Sequence, residues 1–361
     1  MKWHQFGDED LQAVKRVLDT GNLCSINGAE VPAFENEFKS EFGSPLALAV
    51  VNAMAGLHCA VVASGAQPGD EVIVDPMVVF AALGVMYHGC KPVFCDVEKD
   101  THLMDTNLLQ QITTDRTRAI IVTQLWGQCA DMEAINAFAR QRGITVIEDC
   151  SHAIYATNEG QYAGTIGDIG VFSFQMSKQM ALGDGGMTTM KTADHRRIME
   201  EMITFGTVPK RLGWNYRMNE VVAAIGRVQL TRARTYVDMC QQAAALYNEA
   251  VAGCEWLVPQ ANRPGRVNTY HIWTAIFAGD QHGISAEQFL QAMADKGLGW
   301  GMGYIGKPAY HASCIADHLD GVPDCPVAEY LMPRLILTST GGDPQTHVEN
   351  AEKLAEVIAA F

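Results

Sequence analysis

Short apolar runs rich in β-branched residues alternate with helical patterns between residues 71 and 190, and this alternation limits the possible fold more than any other feature. Unbroken apolar strands separated by helices are typical of a parallel or mostly parallel sheet that helices cover on both faces. The sequence therefore predicts an α/β fold with a mostly parallel mixed sheet. The six predicted strands are EVIVD (71–75), PVFCD (92–96), AIIVT (119–123), ITVIE (144–148), GVFSF (170–174) and GMTTM (186–190).

Two helices between and after these strands have recognisable starting residues. Asp131 can cap a helix that places Met132 and Ile135 on one face and ends at Gly143. Asn219 can cap a second helix in the same way. Both helices carry the apolar stripe needed to cover a sheet.

The pattern changes after about residue 240. A long helix is followed by a loop rich in proline and glycine, by the strand YHIWTAIF (270–277) and by a last helix over 346–360. The last helix is expected to bury Val348, Ala351, Leu354, Ala355 and Ile358. We therefore predict a large domain over residues 1–240 and a smaller C-terminal α+β domain over residues 241–361.

The charge of the chain excludes some classes of partner. Its 361 residues include 26 basic and 41 acidic residues, which give a net charge of −15. This charge repels phosphate backbones and anionic lipids, so neither nucleic acid nor a membrane is expected as a partner. The first residues lack an apolar signal-peptide core, and no run reaches the roughly 18 apolar residues of a membrane span. We expect a cytoplasmic protein.

Cysteine and histidine spacing argues against a metal site. Ten cysteines, from Cys24 to Cys325, include no C-x-x-C pair, and eleven histidines include no H-x-x-x-H or H-E-x-x-H group. Neither pattern suits a zinc site, and the cysteine pattern does not suit a disulfide framework. We expect reduced, mostly buried cysteines and no bound metal.

Lys178 is the first candidate catalytic residue. It lies between an apolar strand and the glycines Gly183, Gly185 and Gly186, which allow the backbone to approach a ligand closely. A lysine in a crowded, partly desolvated pocket loses its proton readily, and the free amine can form a Schiff base with an aldehyde. Most lysines are solvated surface residues, but this setting favours a reacting amine that needs a carbonyl partner.

Asp149 is the second candidate, in VIEDCSHA (146–153), where an apolar strand runs directly into two carboxylates. In open α/β sheets the ligand crevice lies beyond the carboxyl ends of the strands. If the aldehyde is that of pyridoxal phosphate, an acidic side chain must keep its pyridine nitrogen protonated. Read alone, the motif fits equally an aspartate that caps the next helix or turn.

The order of several long motifs resembles the sugar and cyclitol aminotransferases of the DegT/DnrJ/EryC1/StrS family, a branch of the fold-type I pyridoxal-phosphate enzymes. The resemblance spans most of the chain and implies this fold and pyridoxal 5'-phosphate as the cofactor. The motifs that carry it are NAMAGLHCAVVASGAQPGDEVIVDP (52–76), CKPVFCDVEKDTHLMD (90–105), LWGQCADMEAI (125–135), VIEDCSHA (146–153), AGTIGDIGVFSFQMSK (163–178), GDGGMTTM (183–190) and GWNYRMNEVVAAIGRVQL (213–230).

The resemblance assigns roles around the cofactor ring. Lys178 would hold the cofactor covalently and later move the proton between substrate and cofactor, and Asp149 would pair with the pyridinium nitrogen. His152 lies where the family carries Gln or His near the phenolic oxygen, and Phe80 matches the aromatic residue that stacks on the ring. By pattern alone, His152 also fits a hydrogen-bonded turn histidine and Phe80 a core residue.

Three further candidates would bind the phosphate. Ser173 lies five residues before the lysine. Asn215 matches an asparagine that family members supply from the neighbouring subunit, so a homodimer with shared active sites is implied, and Arg217 is close enough in sequence to share this role. The alternative for Asn215 is an ordinary turn residue.

The chain departs from the family at the first large-domain helix. Relatives usually read N-G-T-x-A-L where this chain reads NAMAGL (52–57), so a threonine hydroxyl for the phosphate is missing. The backbone N–H groups of Ala53 and Met54 at the helix start can still bind phosphate. A smaller change is Asp184, where the family more often has glutamate. Both changes concern cofactor affinity and leave the reaction class unchanged.

The resemblance implies an aminotransferase that moves an amino group from glutamate or glutamine to a ketone of a nucleotide-linked sugar or a cyclitol. The stretch WGMGYIGKPAYH (300–311) offers aromatic substrate contacts, with a surface loop or a dimer contact as the equal alternative. Two other functions stay open. One is a dehydratase of the same fold, although family members that dehydrate sugars commonly carry histidine in place of the lysine, and the other is a non-catalytic cofactor-binding regulator.

Overall fold

The computed structural model describes residues 6–206, 212–304 and 306–361. Helices surround a seven-stranded sheet, and a three-stranded sheet forms near the C-terminus. The elements in chain order are α1 (Asp8–Thr20), α2 (Glu30–Phe42), β1 (Leu46–Val50), α3 (Ala53–Ala63), β2 (Glu71–Val74), α4 (Val79–Tyr87), β3 (Lys91–Phe94), α5 (Leu109–Ile112), β4 (Thr117–Thr123), α6 (Met132–Arg142), β5 (Thr145–Asp149), β6 (Thr157–Asn158), β7 (Gln161–Tyr162), β8 (Ile169–Ser173), β9 (Gly186–Met190), α7 (Ala193–Ile203), α8 (Glu220–Ala250), β10 (Leu257–Pro259), β11 (Arg266–Val267), β12 (Ile272–Phe277), α9 (Ala286–Asp295), α10 (Ser313–Ala316), α11 (Pro326–Leu331), β13 (Leu335–Ser339) and α12 (Pro344–Ala359).

The large sheet is mixed and mostly parallel, as predicted. Its strand order is β1-β9-β8-β5-β4-β2-β3, and only β9 runs against its neighbours. The six predicted strands are present as β2, β3, β4, β5, β8 and β9, and β1, which the sequence analysis missed, forms one edge. Because β4, β5 and β8 are parallel, their last residues Thr123, Asp149 and Ser173 lie at the same edge of the sheet.

The predicted helix caps are confirmed. The Oδ1 atom of Asp131 accepts a hydrogen bond of 3.0 Å from the N–H of Ala134, and α6 ends at Gly143 in the left-handed conformation. The side chain of Asn219 caps α8 by accepting from the N–H of Val222 at 3.0 Å. Both side chains satisfy N–H groups that the first helical turn leaves unpaired.

The C-terminal part packs on a helix that it shares with the rest of the chain. The antiparallel sheet β10-β12-β13 and the helices α9 and α12 bury a core around Tyr247, Trp273 and Phe289. Residue 240, the predicted domain boundary, lies inside the continuous helix α8, and Tyr310 and Leu331 pack into the core of the large sheet. The division at residue 240 stays a prediction.

The last helix buries a somewhat different face from the one expected. Ala351 and Leu354 are buried as predicted, whereas Ala355 is exposed and Val357 is buried in its place. Within the described ranges, the structure has no helix that is long and apolar enough to cross a membrane.

Candidate active site

A cavity of about 430 Å³ lies at the carboxyl ends of β4, β5 and β8. It brings together seven of the predicted site residues: Ala53, Met54, Phe80, Asp149, His152, Ser173 and Lys178. Tyr304, from the stretch predicted to offer substrate contacts, lines it as well. Residues that were not predicted for the site also line it, namely Asn52, Leu57, Val78, Thr123, Ser151, Gln175, Ser177 and Asp184.

Lys178 carries the reactive amine of this cavity. It follows β8 in a turn in which its N–H donates to the carbonyl of Gln175 at 2.8 Å. Burial lowers the pKa of Lys178 from the ordinary 10.5 to about 8, and the charge of Asp149 acts in the opposite direction. Within the described part of the chain, its ammonium has no carboxylate oxygen within 4.0 Å. The amine is therefore easier to deprotonate than a surface lysine.

Asp149 is the last residue of β5 and is only 2% exposed. Its Oδ1 atom accepts hydrogen bonds from the N–H of Ser151 at 3.0 Å and from the Ser151 hydroxyl at 2.6 Å. Burial raises the pKa of Asp149, while the Ser151 hydrogen bonds and the charge of Lys178 lower it. A cation placed against this carboxylate would restore its charged form. Among the residues that the structure describes, no cationic nitrogen lies within 4.0 Å of this buried acid.

Glu148, the carboxylate next to Asp149 in the sequence, has a structural role instead. It points away from the cavity and accepts hydrogen bonds from three backbone N–H groups, those of Gly164 at 3.0 Å, Ile166 at 2.8 Å and Gly167 at 2.6 Å. The amide of Gln124 adds a fourth, at 2.8 Å. Glu148 therefore fixes the turn that precedes β8. Side chains alternate between the two faces of a strand, which separates the two carboxylates.

We expect Glu148→Gln to lower the free energy of unfolding by about 3 kcal/mol, because buried N–H groups lose a charged acceptor and face an amide N–H₂ instead. Urea denaturation of the wild type and the variant measures this loss. Glu352→Gln, on the exposed face of α12, is the matched control and should change stability by less than about 0.5 kcal/mol. Equal losses in both variants would contradict the role given to Glu148.

His152 lies in the cavity wall, buried and beside two aromatic rings. Its imidazole stacks on the indole of Trp126, with ring centroids 5.6 Å apart and an interplanar angle of 15°. The ring of His271 lies on it at 4.6 Å. Burial, followed by the charges of Lys178 and His271, holds the pKa of His152 well below the usual 6.5. His152 is therefore an uncharged imidazole at neutral pH.

Backbone donors and a hydroxyl form the end of the cavity suited to an anion. Asn52 caps α3 by accepting from the N–H of Ala55 at 2.9 Å, and the N–H groups of Ala53 and Met54 in the same first turn have no partner inside the helix. A Cβ at position 186 would lie 3.0 Å from the nitrogen of Ala53, so glycine there lets α3 begin close to the sheet. The half-buried Ser173 also lines this cavity.

Phe80 lies in the first turn of α4 and is 47% exposed, unlike a core residue. Its ring lines the cavity, so the alternative that it packs in the core does not hold. An exposed aromatic face beside the amine and the carboxylate is a surface on which a flat ring can stack.

Asn215 and Arg217 do not line this cavity. Asn215 is exposed and pairs by its backbone with Thr204. Arg217 pairs by its backbone with Val50 and lines a separate cavity of about 230 Å³. Whether either residue reaches a phosphate in a second copy of the chain stays a prediction.

Of the aromatic stretch at 300–311, only Tyr304 lines the cavity, and Ile305 lies outside the described residues. Trp300 packs against Tyr247 in the C-terminal core. The hydroxyl of Tyr310 donates to Glu329 at 2.8 Å, away from the cavity. Of the suggested contacts Trp300, Tyr304, Tyr310 and His311, Tyr304 is therefore the one that lines the cavity.

Thr123 also lines the cavity and was not among the predicted site residues, although its position in the sequence indicates it. Thr123 is the last residue of a correctly predicted strand, and parallel strands end at the same edge of a sheet. Its hydroxyl donates to the fully buried Asp75. Burial raises the pKa of Asp75 to about 6. The rule that identified Asp149 would have identified Thr123 as well.

Comparison with known proteins gives one consistent result. The profile of the DegT/DnrJ/EryC1/StrS aminotransferase family matches residues 4–359. The chain is 32% identical over 360 residues to a UDP-N-acetyl-3-dehydro-alpha-D-glucosamine 3-aminotransferase of Acidithiobacillus ferrooxidans, covering 97% of this chain and 93% of that one. It is 30% identical over 311 residues to a putative L-glutamine:3-amino-2,3-dideoxy-scyllo-inosose aminotransferase of Micromonospora echinospora, covering 82% and 74%. The X-ray structure of an aminotransferase from Psychrobacter cryohalolentis superposes with a TM-score of 0.92 at 26% identity, covering 100% and 99%.

Proposed function

The chain belongs to the DegT/DnrJ/EryC1/StrS aminotransferase family, and we propose that it moves an amino group from glutamate or glutamine to a ketone of a nucleotide-linked sugar or a cyclitol. It is an aminotransferase with the fold-type I architecture, in agreement with the predicted fold and reaction class. The acceptor class follows the relatives, whose names specify a UDP-linked sugar and an inosose. The proposed cofactor is pyridoxal 5'-phosphate.

One observation carries this proposal. Lys178 and Asp149 line the same cavity and interact electrostatically, yet no ion pair within 4.0 Å joins them. A lysine amine and a buried acid separated in this way suit a flat ring with an aldehyde on one side and a basic nitrogen on the other. The residues present therefore fit pyridoxal phosphate.

The other lining residues fit the remaining parts of the cofactor. We assign the phosphate to the N–H groups of Ala53 and Met54 and to the hydroxyl of Ser173, because a helix N-terminus with free N–H groups is a ready anion site. We assign the faces and edges of the ring to Phe80 and to His152. These assignments leave Lys178 free to react.

Bound pyridoxal phosphate supplies an aldehyde that joins to amines and a ring that withdraws electrons from the adjacent carbon. The Nζ atom of Lys178 would supply the amine that holds the cofactor. Once the amino donor has displaced it, the free Nζ would take a proton from the substrate carbon and deliver it to the carbon that had carried the cofactor's aldehyde. The carboxylate of Asp149 would keep a proton on the ring nitrogen. Because the pKa of His152 lies well below 6.5, its imidazole adds no second positive charge beside Lys178.

We further propose that the enzyme acts as a cytoplasmic homodimer in which Asn215 reaches the partner's site. Among the described lining residues of the cavity, Lys178 is the only cation, and Asp149 and Asp184 are carboxylates. A phosphate dianion and an amino-acid donor need more donors or positive charge than this. Asn215 lies beside Trp214, which is 40% exposed, and such an exposed apolar surface suits a contact with a second copy.

Two alternatives remain to be separated from amino transfer. A dehydratase of the same fold would consume the sugar without transferring nitrogen, and a non-catalytic regulator would bind the cofactor without turnover. Lys178 favours amino transfer, because the amine is present and its pKa is lowered toward neutrality.

Absorbance of the purified protein tests the proposal. Added pyridoxal phosphate should produce a band that bleaches with glutamate or glutamine and returns with a keto acid. A panel of nucleotide-linked keto sugars and inososes, followed by mass spectrometry, then identifies the acceptor. Bleaching without an aminated product from any member of the panel would favour the alternatives, and no band at all would refute the cofactor assignment.

The lowered pKa of Lys178 predicts how cofactor capture depends on pH. Only the uncharged amine attacks an aldehyde, so the rate of capture by cofactor-free protein should rise with pH around a midpoint near 8 and level off above it. An exposed lysine would give a midpoint near 10.5. Stopped-flow absorbance over a pH series measures the midpoint.

Asp149→Asn supplies the control for this profile. The charge of Asp149 raises the pKa of Lys178, so its removal should move the midpoint to lower pH. A midpoint that stays near 10.5 in the wild type would contradict the burial argument. A midpoint that Asp149→Asn leaves unchanged would contradict the electrostatic link between the two residues.

A further inference from the structure

Trp126 has a backbone conformation that bulky residues rarely adopt. Its φ is 64° and its ψ is −4°, in a tight turn directly after β4, and its side chain is fully buried. The left-handed region costs a non-glycine residue about 1–3 kcal/mol, and such conformations persist where the surroundings hold them and often lie at functional sites. Something beside the turn therefore holds this indole in place.

The indole lies against residues that line the cavity, although Trp126 itself does not line it. Its ring is stacked on His152, as described above, and meets the ring of Tyr304 edge to face at 4.8 Å. His271 also contacts the ring of His152, at an interplanar angle of 36°. His152 is thus packed between an indole and a second imidazole.

The turn that carries Trp126 is locked to the segment that carries His271. A Cβ on Gly127 would lie 2.6 Å from the nitrogen of Tyr270, so only glycine allows this approach. The N–H of Thr269 donates to the carbonyl of Gly127 at 2.9 Å. The amide of Gln179, the residue after Lys178, donates to the carbonyl of Thr269 at 2.7 Å. The packing of His152 is therefore tied to the lysine turn.

Hydrogen bonding to Nδ1 does not orient the His152 ring. This nitrogen is buried and, among the described residues, has no hydrogen-bond partner. In a histidine, the hydrogen bond made by one ring nitrogen sets the protonation of the other. With Nδ1 unbonded, packing against the rings of Trp126 and His271 constrains the orientation of this imidazole.

We propose that Trp126 and His271 are positioning residues that fix the orientation of the His152 ring toward the cofactor. The inference rests on the proposed function, because it assumes that pyridoxal phosphate occupies this cavity. Neither residue touches the reacting atoms, and both act through His152. Small displacements of a group at the reaction centre cost rate more than binding.

A double-mutant cycle tests this proposal. Trp126→Leu is expected to lower kcat by about 10- to 100-fold with little change in KM, because it removes the flat ring on which His152 stacks. Trp126→Phe should recover most of this loss, because it restores an aromatic face. In a His152→Gln background, Trp126→Leu should have little further effect, since the residue through which it acts is gone.

Fluorescence supplies a readout that does not depend on turnover. Pyridoxal phosphate absorbs where tryptophan emits, so binding should quench a tryptophan near the cavity. Trp126→Phe should remove the largest share of this quenching. Trp256→Phe is the matched control, because Trp256 is also buried but packs edge to face against Phe277 and Phe289 in the C-terminal core.

The outcomes separate this inference from the proposed function. A wild type that shows no cofactor band would refute the proposed function, and the inference with it. Two results with a wild type that binds the cofactor would overturn the inference alone. In the first, the effects of Trp126→Leu and His152→Gln on log kcat add up in the double variant. In the second, Trp126→Leu and Trp126→Phe lower kcat equally. Should Trp126→Leu fail to fold, His271→Leu in the same cycle decides the question by the same additivity criterion.

Discussion

Lys178→Ala is expected to lower kcat by about 10⁴-fold and to leave a protein that binds pyridoxal phosphate only reversibly. The amine serves twice, first as the covalent anchor of the cofactor and then as the group that moves the proton. Its position supports both uses, because the side chain is largely buried, its pKa is lowered to about 8, and it lines the same cavity as Asp149. Steady-state kinetics, together with mass spectrometry after borohydride reduction, measures the loss and shows whether the cofactor is attached.

Lys178→Arg separates the positive charge of the side chain from its ability to lose a proton. It keeps the positive charge in the cavity but cannot deprotonate at ordinary pH, so it should lose as much activity as alanine does. Lys296→Ala serves as a control, since Lys296 forms an exposed ion pair with Glu356 far along the chain. An arginine variant within about tenfold of the wild-type kcat would mean that only the charge matters and that Lys178 is not the reacting amine.

Asp149→Asn should lower kcat by about 10²- to 10³-fold while the cofactor still binds. The expected loss is that of one preorganised electrostatic group acting on developing charge. Asparagine keeps the shape and can still accept from the N–H of Ser151, but it cannot hold a proton on the ring nitrogen. Cofactor affinity from absorbance titration, measured beside kcat, separates the two effects.

The neighbouring carboxylate gives the contrast for this prediction. Glu148→Gln should lose stability and keep most of its kcat, whereas Asp149→Asn should keep stability and lose kcat. The hydrogen bonds of Glu148 go to the turn at residues 164–167, while Asp149 lines the cavity. If the two variants showed the same pattern of losses, the division of roles between the carboxylates would be wrong.

Local sequence patterns were enough to predict six strands, two helix caps and the two candidate catalytic residues. The six strands were visible because each is an apolar run bounded by breakers, and the helix caps because Asp131 and Asn219 act on N–H groups only three residues away. Lys178 and Asp149 followed from their positions just after predicted strands. In a parallel sheet those positions converge at one edge, so strand prediction already placed the two residues near one another.

The position of strand β1 and the length of helix α8 depend on contacts between residues far apart in the chain. The edge strand β1 pairs with β9, about 140 residues later in the chain. Its five residues, LALAV, are an apolar run, but a run this short does not by itself distinguish a strand from a buried helical segment. Helix α8 continues through residue 240 because its two halves pack on different partners, with α1 and α2 at one end and α12 at the other.

The residues that surround His152 could not be predicted from the sequence either. Its position in the motif VIEDCSHA was visible, but the two rings that flank it come from residues 126 and 271, which no local pattern relates. Trp126 has a left-handed backbone conformation, which tryptophan disfavours, so its surroundings in the fold must stabilise it. Residue types and their positions along the chain thus specify the amine, the acid and the imidazole of the site. Their orientation depends on contacts between residues far apart in the chain, so only the folded structure shows it.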